Sequence, residues 1–428
     1  MDNPHGKNND KPSKLGKPQI YSEQLICLKP QIIKSSLNCF RKHLPPQQCN
    51  FFPPPEPITA CDFRPCTVDV SCGGIFPCPP PSGNTITVGP GPGFDFSTIQ
   101  AAITAANSGD EILVFPGTYP EQVTIPAGKD NLTIRSQTPQ AAIITPPPGG
   151  LVGNLSIVTI NAQCTRITGF TITGPSTFQG NLRNGIFVTN GGSAVIDNNV
   201  ITDIRDNPLS GLQQGTGINV DIGSAQISNN TITSYQKTGI RVNGAGSCST
   251  VFGNEVTGVG ATNIIAQNGI QISRGATALV RNNTVTGNIY TGPDDVVSTG
   301  ILLFQEVATA PVCVEFNRLS NNDAGLFLAE TIGSLVQGNF SFNNTQFGIV
   351  VDADSIDNVF IRNTALGNPT FDIEDDSVGL RSAMTGNIYL CNICFRDNKN
   401  GEICASISPF PTTDPPAVNT DVPSVFVD

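Results

Sequence analysis

Beyond residue 184 the apolar and polar positions alternate in short runs that recur along the chain. A glycine followed by an aliphatic residue appears at Gly185-Ile186, Gly217-Ile218, Gly239-Ile240, Gly269-Ile270, Gly300-Ile301, Gly325-Leu326 and Gly348-Ile349. In each copy the first and third residues after the glycine are apolar, from Ile186 and Val188 to Ile349 and Val351, which predicts a strand with one buried face. An asparagine follows each run: Asn199, Asn230, Asn254, Asn283, Asn317, Asn339, Asn363 and Asn387, at steps of 22 to 34 residues. The smallest step fits one turn of a parallel solenoid, three short strands and three bends, with successive turns about 4.8 Å apart. Like residues then stack on like. The repeated asparagine is expected to take the left-handed bend and to hydrogen-bond its counterpart one rung away.

Ahead of the repeats, Ser97-Thr98-Ile99-Gln100 reads as a capping box, and Ile99, Ala102, Ile103 and Ala106 follow at helical spacing until Asn107-Ser108-Gly109. One short helix is predicted there, followed by strands around 111–119, 122–125 and 131–135. Residues 1–82 hold 15 of the 34 prolines and no sustained periodicity. The chain therefore divides into a Cys/Pro-rich arm over 1–82, extended or cross-linked, a first strand and capping helix over 83–108, a solenoid over 109–404, and a Pro-rich tail over 405–428.

The segment FSTIQAAITAANSGDEILVFPGTYPEQVTI and coils such as NGIFVTNGGSAVIDNNVIT and NGIQISRGATALVRNNTVT resemble the right-handed parallel β-helix proteins of the pectate-lyase-like superfamily, over about residues 83–404. The resemblance implies an all-β fold, a right-handed single-stranded solenoid of about ten coils with an N-terminal capping helix. It implies no one activity, because that superfamily hosts lyases, hydrolases, esterases, epimerases, phage tailspikes and non-catalytic surface proteins. Both histidines, His5 and His43, lie in the arm. The histidine-bearing signatures of pectin hydrolases and alginate epimerases are therefore missing from the solenoid, as are the best-known pectate lyase and pectin methylesterase strings.

Charge narrows the partners. Residues 1–82 carry 9 Lys/Arg against 6 Asp/Glu, and the remainder 14 against 28. An acidic body repels nucleic acid, whose binding depends on neutralising phosphates. No apolar run approaches the roughly 18 residues of a membrane span. The polar start shows no apolar stretch of the secretory kind, so an extracellular, cell-surface or spore-surface location is expected by a route without a signal peptide.

The longer rungs carry their excess in 174–184, 203–216, 258–268 and 286–299, which stack on one edge of the solenoid. The short connection Ser234–Thr238 is expected to leave a notch in that wall. Beside it the outward residues Asn219, Asp221, Asn243 and Gln271, with Tyr235, form a candidate glycan-binding patch. Arg241 and Lys237 are the candidate bases for β-elimination from a uronate, with Ca²⁺ held by Asp221 and Asp203 or Asp206. Asp352 and Asp376 occupy matching places one rung apart and form a second candidate Ca²⁺ pair. The outward apolar residues Leu302, Phe304, Phe327 and Val350 call for cover from the tail, the arm or another subunit.

Thirteen cysteines leave at least one unpaired within the chain. Cys27, Cys39, Cys49, Cys61, Cys66, Cys72 and Cys78 are expected to cross-link the arm into an assembly, whereas Cys391, Cys394 and Cys404 are candidates for a disulfide that pins the last coil. The reading that joins these features is a non-catalytic surface or structural β-helix that binds glycans or partner proteins. It is anchored through its arm, with self-association or other surface proteins as partners. The alternatives are a polysaccharide lyase-like enzyme centred on Arg241 and a phage tail fibre or spike.

Overall fold

In the computed structural model, residues 61–293 and 296–404 are described. They form a parallel β-helix of about 11 turns, one more than the sequence suggested. Three sheets run the length of the solenoid, and in each the strand order follows the chain. Sheet A has 12 strands, from Thr85–Val88 to Ile388–Leu390, sheet B has 10, from Gly117–Pro120 to Thr364–Leu366, and sheet C has 10, from Val123–Ile125 to Phe371–Asp375. The Gly-aliphatic repeats are the strands of sheet C. Their register places Ile186, Ile218, Ile240, Ile270, Ile301, Leu326 and Ile349 in one line and Val188, Val220, Val242, Ile272, Leu303, Leu328 and Val351 in a second. All of these are fully buried. Each rung thus adds two aliphatic side chains from sheet C to a continuous core, worth about 1.5–3 kcal/mol per fully buried side chain.

The asparagine repeat forms a buried ladder at the bend between sheets A and B. In each rung one amide oxygen accepts both the backbone N–H and the side-chain N–H of the asparagine before it, as Asn254 does for Asn230, both at 3.0 Å. The side-chain nitrogen also donates to the end of the sheet A strand in the previous coil, Asn254 to the carbonyl of Ile227. Two expectations change. The left-handed residue is the one before the ladder asparagine: Asn198, Asn229, Gly253, Asn282, Phe316, Gly338, Arg362 and Cys391 all have positive φ. The bend needs that conformation, which frees the next side chain to turn inward. The ladder also ends on Asn392, not Asn387; Asn387 instead accepts from Asn358 in a second ladder. A third, Asn288–Asn322–Asn344–Asn368, lines the bend between sheets B and C.

The capping helix spans Ile99–Ala105, and Thr98 accepts from the Ala101 N–H at 3.3 Å. Gln100 does not close a capping box. Its amide pairs both ways with the Thr124 backbone, and the free N–H groups of Ile99 and Gln100 are met by the Glu121 carboxylate, each at 2.9 Å. A carboxylate from the bend between the strands Gly117–Pro120 and Val123–Ile125 thus satisfies the helix start and complements its dipole.

Residues 1–59 and 60–428 are separate units, and only the second is described. Its first stretch, 61–82, differs most from expectation. Cys61, Cys66, Cys72 and Cys78 bond to Cys391, Cys313, Cys248 and Cys164 of the same chain, and Cys394 bonds to Cys404. Those four arm cysteines are therefore internal staples and not links to other molecules; Cys27, Cys39 and Cys49 lie outside the described residues. Because 61 is tied to the last coil and 78 to an early one, the segment is a strap running backwards along sheet A. Between Cys61 and Cys66 it spans three rungs, roughly 14 Å at about 4.8 Å each. Five residues cover that only when nearly extended. Gln337 holds the strap in the manner of a strand, accepting from the Arg64 N–H at 2.9 Å and donating to the Arg64 carbonyl at 2.8 Å. Phe63 lies edge-on to Phe316 and under the Arg362 guanidinium, and Val68 packs on outward Leu279, Cys313 and Leu335. Among the described residues no helix is long and apolar enough to cross a membrane.

Candidate functional site

The long connections between sheets B and C build a wall along one edge of sheet C, and the outward face of that sheet changes character along the axis. One outward line reads Phe187, Asn219, Arg241, Gln271, Leu302, Phe327, Val350, with Asp221, Asn243, Ser273 and Phe304 beside it. Its middle, from Asn219 to Gln271, is polar, and is flanked by Phe187 on one side and by Leu302, Phe327 and Val350 on the other, beyond which the line ends on Glu374.

The polar middle is one hydrogen-bonded chain. Asn184 donates to the Ser156 hydroxyl at 2.9 Å and accepts from Asn219 at 3.1 Å. Asn219 accepts from Arg241 Nε at 3.1 Å, and the same guanidinium lies 3.8 Å from Asp221, which accepts from Asn243 at 3.3 Å. Ser273 donates to Asn243 at 3.0 Å and accepts from Gln271 at 3.2 Å. Burial lowers the pKa of Arg241, the Asp221 charge raises it back in part, and nearby Arg274 lowers it again. A cavity of about 410 Å³ opens over this chain, lined by Arg183, Asn184, Phe187, Asn219, Asp221 and Arg241. Two guanidinium groups against one carboxylate make it locally positive on a protein whose net charge is −11.

Three sequence expectations change here. Tyr235 was expected in the binding patch, but it is fully buried, its hydroxyl donates to Asn288, and its pKa is raised by desolvation. The short connection turns Tyr235 into the core, the only direction that covers its ring. The notch is filled as well. Gln236 is buried and latches the 203–216 loop, accepting from the Asp206 N–H and donating to Leu212 and Ser210. Lys237 is separated from Arg241, since it lines a second cavity, of about 620 Å³, and donates to the Ala266 carbonyl at 2.7 Å. Burial lowers its pKa. The two alternative candidate bases, Arg241 and Lys237, thus face different cavities.

The carboxylates do not converge on a cation either. Asp203 pairs with Arg205, and buried Asp206 accepts from the Gly180 N–H and from Ser210, so neither joins Asp221. Asp352 accepts from the Glu330 N–H and the Ser355 hydroxyl, and Asp376 from Asn398. Among the described residues, the groups of three or more metal-ligating side chains whose ligand atoms converge are Cys66, Cys313 and Glu315, and Cys394, Asp397 and Cys404. Both contain a disulfide, so neither offers free thiolates.

Sequence reasoning missed Arg183, whose place in the cavity depends on the fold of the 174–184 connection, and Glu306. The Glu306 carboxyl is buried at the bend after the strand Thr299–Phe304, and neither oxygen finds a hydrogen-bond partner. Desolvation raises its pKa to about 8.

A right-handed β-helix family model matches residues 156–309 and again 216–404, together more than half of the sequence. The chain belongs to the right-handed β-helix family. No curated protein matches its sequence. Among solved structures it is similar to an alginate lyase from Paenibacillus sp. str. FPU-7, at 17% identity and TM-score 0.49 over 65% of this chain and 94% of that one. It is also similar to a mannuronan C-5 epimerase A-module from Azotobacter vinelandii, at 14% and 0.45 over 69% and 83%. A lacto-N-biosidase from Eubacterium ramulus matches at 14% and 0.48 over 72% and 63%. At such identities the likeness is one of fold.

Proposed function

We propose that this protein is a non-catalytic, glycan-binding β-helix of an extracellular or cell surface, held in a larger layer through its N-terminal segment. The observation that carries the reading is the polar chain on sheet C. Asn184, Asn219, Arg241, Asp221 and Asn243 hold one another in fixed positions before any ligand arrives, and an ordered set of donors and acceptors loses little entropy on binding hydroxyl-rich sugars. Arg183 and Arg241 favour a glycan that carries carboxylates or sulfates, since guanidinium groups meet such anions with paired hydrogen bonds. Five disulfides within one chain support an oxidising setting. They consume ten of the 13 cysteines, leaving Cys27, Cys39 and Cys49. Three is odd, so at least one is a free thiol or bonded to another molecule.

A second reading, β-elimination, is favoured by one feature, the lowered pKa of Arg241. Titration with labelled pectate, alginate, hyaluronan and a neutral glycan, with absorbance of the unsaturated product followed in parallel, tests both. We expect saturable binding to an anionic glycan, weakened about tenfold or more by Arg241→Ala, or roughly 1.4 kcal/mol. Absence of binding to every glycan overturns the proposal, and accumulation of unsaturated product replaces it with the lyase.

A further inference from the structure

The cavity beside Lys237 differs from the Arg241 cavity in what lines it. Its volume is about 620 Å³, and Ile264, Ile265, Leu302, Phe304 and Phe327 give it an apolar wall. That is the size of a small-molecule site, in which an apolar lining carries a few placed polar groups. Among the described residues that line it, Lys237 is the one cation. Its backbone is held between two neighbouring rungs: the N–H donates to the Gly215 carbonyl at 3.0 Å, and the carbonyl accepts from the Asn268 N–H at 2.9 Å. The side-chain nitrogen donates to the Ala266 carbonyl at 2.7 Å, and among the described residues it makes no ion pair. A carbonyl dipole offsets an ammonium charge less than a carboxylate does, and burial lowers the Lys237 pKa, which favours the neutral amine.

We infer that Lys237 is the reactive amine of a site for small apolar aldehydes, which it holds as an imine. A desolvated lysine in an apolar pocket is an activated nucleophile for carbonyl compounds. The amine lone pair attacks the carbonyl carbon and the C–N bond forms. Both amine hydrogens then leave with the carbonyl oxygen as one water, so aldehyde and amine give imine and water without any oxidant or reductant. The wall of Leu302, Phe304 and Phe327 receives the apolar body and displaces water, which otherwise returns an imine to its parts. Charge favours a neutral occupant over an anionic one, because the connection between the lining residues Tyr290 and Val296 carries Asp294 and Asp295 in its sequence. This inference does not depend on what the Arg241 cavity binds.

Reductive trapping on the full-length protein tests it. Benzaldehyde with sodium cyanoborohydride converts an imine into a stable benzylamine, which peptide mass spectrometry places on a particular lysine. Lys129 and Lys399 are the other lysines among the described residues, and neither lines the cavity. We expect Lys237 to be labelled severalfold faster than either and its rate to saturate with benzaldehyde concentration, while theirs rises linearly. Glyoxylate, an anionic aldehyde, should show no such preference. Phe327→Asn should lower the labelling of Lys237 severalfold with circular dichroism unchanged; should that variant unfold, the comparison of lysines in the unaltered protein decides. Labelling of Lys237 that is no faster than that of Lys129 and Lys399, or that never saturates, would overturn the proposal, and an equal preference for glyoxylate would overturn its ligand class.

Discussion

Glu306 shows how one residue sets a pH dependence for the whole chain. Its carboxyl stays protonated in the fold up to a pH of about 8, whereas the unfolded chain releases that proton near 4.5. Between those values the folded state holds more protons, so stability falls as pH rises through the window and levels off above it. Glu306→Gln keeps the shape and removes the ionisation. Urea midpoints should show the variant more stable by about 3–5 kcal/mol at pH 8 and indistinguishable from wild type near pH 4. No pattern in the sequence marks this residue, because its burial depends on how the bend after its strand folds over the core. Arg241 was legible, since alternation alone places it outward on a strand beside Asn219 and Asp221. Tyr235 was not, because connections lack a period to fix which way a side chain turns.

Ladders and strap belong to the scale of elements. Each ladder asparagine satisfies the backbone of two rungs, so removing one leaves several buried groups unpaired. Asn254→Ala orphans the Asn230 N–H and the Ile227 carbonyl and should cost about 3 kcal/mol. Asn229→Ala, one position before a ladder residue and exposed, should cost only about 1 kcal/mol for the left-handed bend. Thermal unfolding of the two variants separates hydrogen bonding from backbone conformation, and equal losses would refute the division of roles proposed here. The repeat of asparagines was plain in the sequence. The second and third ladders were not, because their members recur in only two and four coils.

At the scale of the molecule, the strap alters what a shortened chain would do. The arm's pattern is unlike the solenoid's, so sequence pattern alone predicts that a chain starting near Ser82 folds and stays soluble. With the strap removed, however, Leu279 and Leu335 lose their cover and Cys164, Cys248, Cys313 and Cys391 become free thiols along one face. We expect such a chain to keep its β circular dichroism but to form reducible multimers in oxidising buffer. In the full chain, any interchain disulfide should map by peptide mass to Cys27, Cys39 or Cys49. Monomeric, soluble shortened protein would show the strap to be dispensable. The solenoid was fixed by sequence because its determinants are local and repeated: alternation sets each strand, and stacking multiplies one rung's solution along the axis. The strap and the Arg183–Arg241 cavity arise only in the tertiary structure. They join residues as far as 330 positions apart, and such contacts depend on where coiling brings two stretches together, which no local period records.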